Sequence, residues 1–217
     1  YDDFEKILNF INLVDIVTYE FENIPIETLK YISKKKKVLP DPKINEIIQN
    51  RKTEKEFINK LNIKTTKWSH IKSKKDLMNN KKLLPGILKT CTLGYDGKGQ
   101  HTINNINELK DSLNFKTDYI LEEIVNLKKE ISVILTRFNN GDISIFEPIE
   151  NSHSNKILRN SFIPAKISNT IYNQAIKYAK EITRKFNYVG TLCVEYFIDN
   201  EDNLLVNEIA PRVHNSG

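Results

Sequence analysis

Three of the seven glycines in this 217-residue chain fall between Gly94 and Gly99, inside the run Lys89-Thr-Cys-Thr-Leu-Gly-Tyr-Asp-Gly-Lys-Gly-Gln100. Strand-like segments flank the run, which constrains it to a hairpin whose tip is free to take positive φ and to bring backbone N–H groups close to a ligand. Lys89 and Lys98 add cationic ends suited to phosphate oxygens. Two familiar phosphate loops are excluded. Gly99 follows Lys98 where a Walker A loop needs Ser or Thr, and no helical pattern follows Gln100 as a dinucleotide fingerprint requires. A hairpin with few buried contacts at its tip suits a lid, and on spacing alone a plain flexible turn is the alternative.

The chain is long enough to bury a core, as one large domain or two small ones. It begins without methionine and ends inside a motif-like run, so truncation at both ends is expected. No apolar run approaches the ~20 residues of a membrane span and no signal-peptide pattern opens the chain, which leads us to expect a cytoplasmic protein without membrane contact. Cys91 and Cys193 lie far apart with no CxxC spacing, which argues against a disulfide framework or a zinc site. The net charge of +5 comes from dispersed lysines. Lys34 to Lys37 read as a solvated helix end, and the absence of an aromatic-interleaved basic stripe argues against a nucleic-acid partner.

Apolar spacing predicts a helix over Asp2–Leu13, a buried strand over Val14–Thr18 and a helix from Pro25. Glu20 and Glu22 then sit at the carboxyl edge of a strand, where open α/β sheets bind ligands. A helical pattern runs from Pro42 to about Leu61, with an interruption near Asn50 and with Arg51 and Lys55 on one face. Shorter elements follow: strands near Thr66–His70, Gly86–Lys89 and Gln100–Ile103, and a helix from Ser73. Tyr119–Val125 opens a third region, a meander through Glu130–Thr136 and Ile143–Phe146. A long amphipathic helix over Ser168–Phe186 comes next.

Thr191–Asp199 and Leu204–Ile209 read as a hairpin. If it is symmetrical about Asn200-Glu-Asp-Asn203, paired positions sum to 403 and Glu195 faces Glu208. Two facing carboxylates repel unless a cation sits between them, and magnesium is the natural choice beside phosphate. A register one residue different would turn one of them to solvent. Beyond them, Pro211-Arg-Val-His-Asn-Ser-Gly217 crowds cation, imidazole and amide groups suited to a small anion.

The sequence resembles the ATP-grasp superfamily, and within it the 5-(carboxyamino)imidazole ribonucleotide synthase family of purine biosynthesis. The resemblance rests on Val17-Thr-Tyr-Glu-Phe-Glu-Asn-Ile-Pro25, Leu88-Lys-Thr90, Gly94-Tyr-Asp-Gly-Lys-Gly-Gln100, Ile157-Leu-Arg-Asn-Ser161 and Asn207-Glu-Ile-Ala-Pro-Arg-Val-His-Asn-Ser-Gly217, which span almost the whole chain. It implies an α/β (α+β) ATP-grasp fold preceded by the end of a Rossmann-like α/β domain. The divisions it implies are residues 1–50 for that first domain, 51–120 for a linker helix and small lid domain, and 121–217 for the larger ATP-grasp domain.

The activity implied is ATP- and bicarbonate-dependent carboxylation of the exocyclic amine of aminoimidazole ribonucleotide, with ATP and Mg2+ required and a homodimer suggested. The resemblance places Arg51, Lys89 and the loop Gly94, Tyr95, Asp96, Gly97, Lys98, Gly99 and Gln100 at the phosphates. Glu122, Glu123, Ile124 and Val125 would meet adenine and Glu130 the ribose, with His153 and Asn207 lining the pocket. Glu195 and Glu208 would hold magnesium. Glu22, Tyr95, Asp96 and Arg212 fall on the substrate side, and Lys98, Arg159, His214 and Asn215 around bicarbonate. Another ATP-grasp ligase, such as formate-using glycinamide ribonucleotide transformylase, would share the nucleotide residues but not the substrate run.

Overall fold

The computed structural model describes residues 1–94, 99–106, 115–154 and 157–217. Three sheets organise the chain. The first is small. Helix α1 (Phe4–Asn12) leads into strand β1 (Ile16–Thr18), and α2 (Ile26–Ser33) leads into β2 (Lys37–Leu39), which pairs with β1 in parallel. Ile11, Val17, Leu29 and Val38 close the core of this unit. Only Val17 of β1 is buried, so the strand is covered on one face and not on both as its β-branched run suggested. Lys34 and Lys35 lie exposed past the end of α2, as solvated lysines should.

The interruption near Asn50 is a helix boundary. Helix α3 (Pro42–Ile48) ends there, and the Asn50 side chain accepts a hydrogen bond from Lys52 N–H to start α4 (Arg51–Lys60). Local capping thus breaks one apolar pattern into two rods.

The second sheet has strand order β3–β6–β4–β5, where β3 is Trp68–Ile71, β4 is Gly86–Thr90, β5 is Gln100–Ile103 and β6 is Tyr119–Glu123. All its pairings are antiparallel, and helix α5 (Lys74–Asn79), capped by Ser73, covers one face through Leu77. Lys89 pairs with Gln100, so β4 and β5 flank the glycine run as the sequence required. Strand β6, read from sequence as the start of the third region, is hydrogen-bonded inside this sheet.

The third sheet is the largest. It contains β7 (Leu127–Arg137), β8 (Ile143–Ile145), β9 (Ile149–Ser154), β10 (Ile157–Phe162), β11 (Gly190–Asp199) and β12 (Leu204–Ala210) in the order β10–β9–β7–β11–β12, with β8 beside β7. Helix α6 (Asn169–Lys185) begins at its Ser168 cap and buries Ile171, Ala175, Ala179 and Ile182 against Ile131, Val133, Val194 and Tyr196. Ile44, Ile48 and Ile58 from α3 and α4 join the same core. On the opposite face Ile134, Ile149, Cys193 and Ala210 form a smaller buried cluster, and Glu195, Phe197 and Glu208 face the cleft. Among the described residues no helix is long and apolar enough to cross a membrane.

Candidate active site

The β11–β12 ladder decides where the carboxylates point. Cys193, Val194 and Glu195 pair with Ala210, Ile209 and Glu208, each pair summing to 403, whereas Tyr196, Phe197 and Ile198 pair with Val206, Leu205 and Leu204, summing to 402. The facing of Glu195 and Glu208 is as the symmetrical hairpin required. The symmetry itself fails nearer the turn, because a bulge leaves Asn207 unpaired. That extra residue has a consequence. Leu204, Val206 and Ile209 all reach the large core, so the inward spacing is two and then three. Without the bulge, Glu208 would share the face of Val206 and point into apolar packing.

With it, Glu208 joins Glu195 on a cleft of about 820 Å3 between the sheets. Solvent reaches Glu208 there, but protein surrounds it at longer range. That burial, together with the facing charge of Glu195, pushes its carboxyl up to about 7, against partial relief from Arg51. Behind it, Glu54 of α4 is 4 % exposed and accepts a 2.7 Å hydrogen bond from Ile209 N–H. Burial, then the Glu208 charge, pushes Glu54 up to about 8. Excess negative charge on a sheet face is the donor set a divalent cation relieves. Among the described residues no three or more His, Cys, Asp and Glu side chains are grouped so as to hold a metal ion by themselves. Magnesium bound with phosphate uses one or two protein carboxylates, so the pair fits it.

Around the carboxylates stand two imidazoles. His214 Nε2 lies 2.6 Å from Glu195 Oε1, and Ser216 N–H donates to Nδ1 at 3.3 Å, which leaves Nε2 as the nitrogen that donates to Glu195. Ser216 Oγ is in turn 2.8 Å from the buried Ser132 Oγ, to which Asn151 Nδ2 donates at 3.0 Å. His153 Nδ1 lies 2.8 Å from Glu130 Oε2 at ion-pair distance without an aligned hydrogen bond. Burial raises Glu130 above the usual carboxylate range, His153 opposes the rise, and Glu195 adds to it.

The cations come from strand β4 (Lys89) and from helix α4 (Arg51 and Lys55). Lys55 Nζ is 2.8 Å from Glu122 Oε1 and Lys89 Nζ 2.5 Å from Glu122 Oε2, with side-chain exposures of 2 %, 12 % and 3 % for Lys55, Lys89 and Glu122. Burial opposes ionisation of Glu122, but the two lysines hold its carboxyl down at about 2. The Glu122 side chain is therefore occupied by lysines, and Glu123 Oε2 receives Lys67 Nζ at 3.0 Å. Arg51 donates to the carbonyls of Thr90 at 3.0 Å and Gly94 at 3.1 Å, so its guanidinium braces the start of the glycine run. A Cβ on Gly94 would stand 2.7 Å from Arg51 Nη1, and Gly99 takes φ +71°.

From the first unit, Glu22 Oε1 accepts from Arg212 Nε at 2.7 Å, a contact spanning 190 residues of sequence. Gln49 donates to the carbonyls of Glu22 and Ile24 and fixes that loop. Gln100, Ile124, Val125, Arg159, Asn207 and Asn215 line the same cleft. Tyr95, Asp96, Gly97 and Lys98 lie outside the described residues. Sequence reasoning passed over Glu54, the ion-pair role of Lys55, and Ser132 with Ser216. Polar residues at core-facing positions of a helix or strand were the available signal.

A family model described as ATP-grasp domain matches residues 56–217, and one described as ribonucleotide synthetase preATP-grasp domain matches residues 1–49. The chain belongs to the ATP-grasp family. It is 39% identical to proteins named N5-carboxyaminoimidazole ribonucleotide synthase from Brucella melitensis and Bacillus subtilis, covering 100% of this chain and 62% and 58% of those ATP-grasp relatives. It therefore spans about 60% of their length. The ADP complex of N5-carboxyaminoimidazole synthetase from Staphylococcus aureus superposes with a TM-score of 0.93 at 37% identity, over 100% of this chain and 59% of that one. A carboxyaminoimidazole ribonucleotide synthase from Aspergillus clavatus complexed with ATP gives 0.90 at 25% identity, over 98% and 57%.

Proposed function

We propose that this chain is the nucleotide-binding portion of an enzyme that uses ATP and bicarbonate to carboxylate the exocyclic amine of 5-aminoimidazole ribonucleotide. The observation that carries the reading is one cleft joining the opposed Glu195 and Glu208, the cations Arg51 and Lys89, and the anion-suited Arg212, His214 and Asn215. Relatives named for this synthase, one with bound ADP and one with ATP, support it.

In this reading the strand end at Glu123, Ile124 and Val125 meets adenine, Glu130 the ribose, and Lys89 with the loop that Arg51 braces meets the phosphates. Glu195 and Glu208 would hold magnesium, which would supply charge neutralisation at the transferred phosphoryl group. A bicarbonate oxygen, oriented by Arg159, His214 and Asn215, attacks the γ-phosphorus while its bond to ADP breaks. The ribonucleotide amine, held on the Glu22 and Arg212 side, then bonds to the carboxyl carbon of carboxyphosphate as phosphate leaves and the nitrogen loses a proton. Lys98, Tyr95 and Asp96, which lie outside the described residues, complete the set that the sequence assigns to the reactants.

The test is ADP release by the full-length protein. Release that requires both bicarbonate and aminoimidazole ribonucleotide supports the reading. Release that instead requires formate and glycinamide ribonucleotide overturns it in favour of a different ATP-grasp ligase.

A further inference from the structure

Strand β12 is the edge of the largest sheet, and among the described residues no further named strand pairs with its outer N–H groups. Two of them are captured by the chain just before the second sheet. Val206 N–H donates to the Lys64 carbonyl at 2.9 Å, beside the bridge between Thr65 and Val206, and Ile209 N–H donates to Glu54 at 2.7 Å. An unbroken strand turns N–H groups outward at every second residue. Here the spacing is three, because the bulge lies between the two anchors, and the residues it contains are Asn207 and Glu208.

We propose that Glu54 is a positioning residue for Glu208: it pins the edge strand on one side of the bulge while the Lys64 carbonyl pins the other, so that Glu208 is held opposite Glu195. The inference rests on the magnesium reading of that pair. Released from Glu54, the strand can relax toward regular pairing, which carries Glu208 toward the core face and pulls the two carboxylates apart. Helix α4 suits the task because it is rigid and anchored elsewhere. Its next residue, Lys55, is ion-paired to Glu122, Ile58 lies fully buried, and Arg51 one turn earlier braces the glycine run. Glu54 acts through a hydrogen bond it accepts, so an uncharged acceptor of the same length should serve.

The experiment is Mn2+ binding to the full-length protein with saturating ADP, read from the loss of the free-ion electron paramagnetic resonance signal. Glu54→Met fills the same volume without an acceptor and should weaken binding roughly 10-fold or more, the usual cost of removing a group that orients a metal ligand. Glu54→Gln should stay within about 3-fold of the parent. If Glu54→Met does not fold, Glu54→Asp, which keeps the charge but falls one methylene short of Ile209, should show the same weakening. Parent-like affinity in a folded Met or Asp variant, or Gln binding as poorly as Met, overturns the proposal. Glu208→Gln is the reference: undiminished Mn2+ binding there removes the metal reading itself, whatever the Glu54 variants do.

Discussion

Replacing Glu122 by Gln leaves two ammonium groups in the cleft wall without a counter-ion, Lys55 with 2 % and Lys89 with 12 % of its side chain exposed. Breaking a buried pair from one side costs about 3–5 kcal/mol. We take roughly 4 kcal/mol at pH 7. Trp68 is the single tryptophan and pairs across the strand with Glu122, so its fluorescence reports unfolding of this sheet. With a urea slope of about 2–3 kcal/mol per molar, the midpoint should fall by about 1.3–2 M. A midpoint within about 0.3 M of the parent at pH 7 would refute the account of Glu122 as the counter-ion that both lysines share.

The same triad sets an acid limit: with Glu122 held at about 2, its stabilisation is complete above the ordinary carboxylate pKa of about 4.5 and is lost as pH falls through about 2, so urea midpoints should decline between pH 5 and 2.5. Glu208 has the opposite sign. A carboxyl raised to about 7 costs stability as pH rises from about 4.5 through 7, so Glu208→Gln in EDTA should melt higher than the parent at pH 8 and no higher at pH 4, while ATP turnover is lost. Gly94→Ala forces a Cβ to 2.7 Å from Arg51 Nη1 and should cost about 1–2 kcal/mol by calorimetry and raise the ATP KM several-fold.

Most elements were legible because local rules agreed. Ser73 and Ser168 cap their helices, the period of α6 names its buried stripe, and the glycine run lies between β4 and β5. Strands β9 and β10 escaped because their Ser, Asn, His and Arg residues carry little apolar alternation, and the pairing of β9 to β7 and of β10 to β9 comes only with the sheet. The facing of Glu195 and Glu208 could be computed from the hairpin, yet the reason it holds could not. A bulge corrects a turn one residue shorter than symmetry demands, and nothing local to Asn207 announces it. Glu54 and Lys55 offered one clue, charge at core-facing positions of α4, but only the tertiary fold shows that one goes to each sheet.

The Lys55–Glu122–Lys89 cluster holds two cations against one anion, so this patch of the cleft wall carries one more cation than anion, written into the covalent chain. Selection in this cleft therefore begins with valence, before shape. Sulfate and inorganic phosphate are drawn to the same wall as nucleotide phosphates, and nucleotide affinity measured in phosphate buffer should be weaker than in a zwitterionic buffer of equal ionic strength.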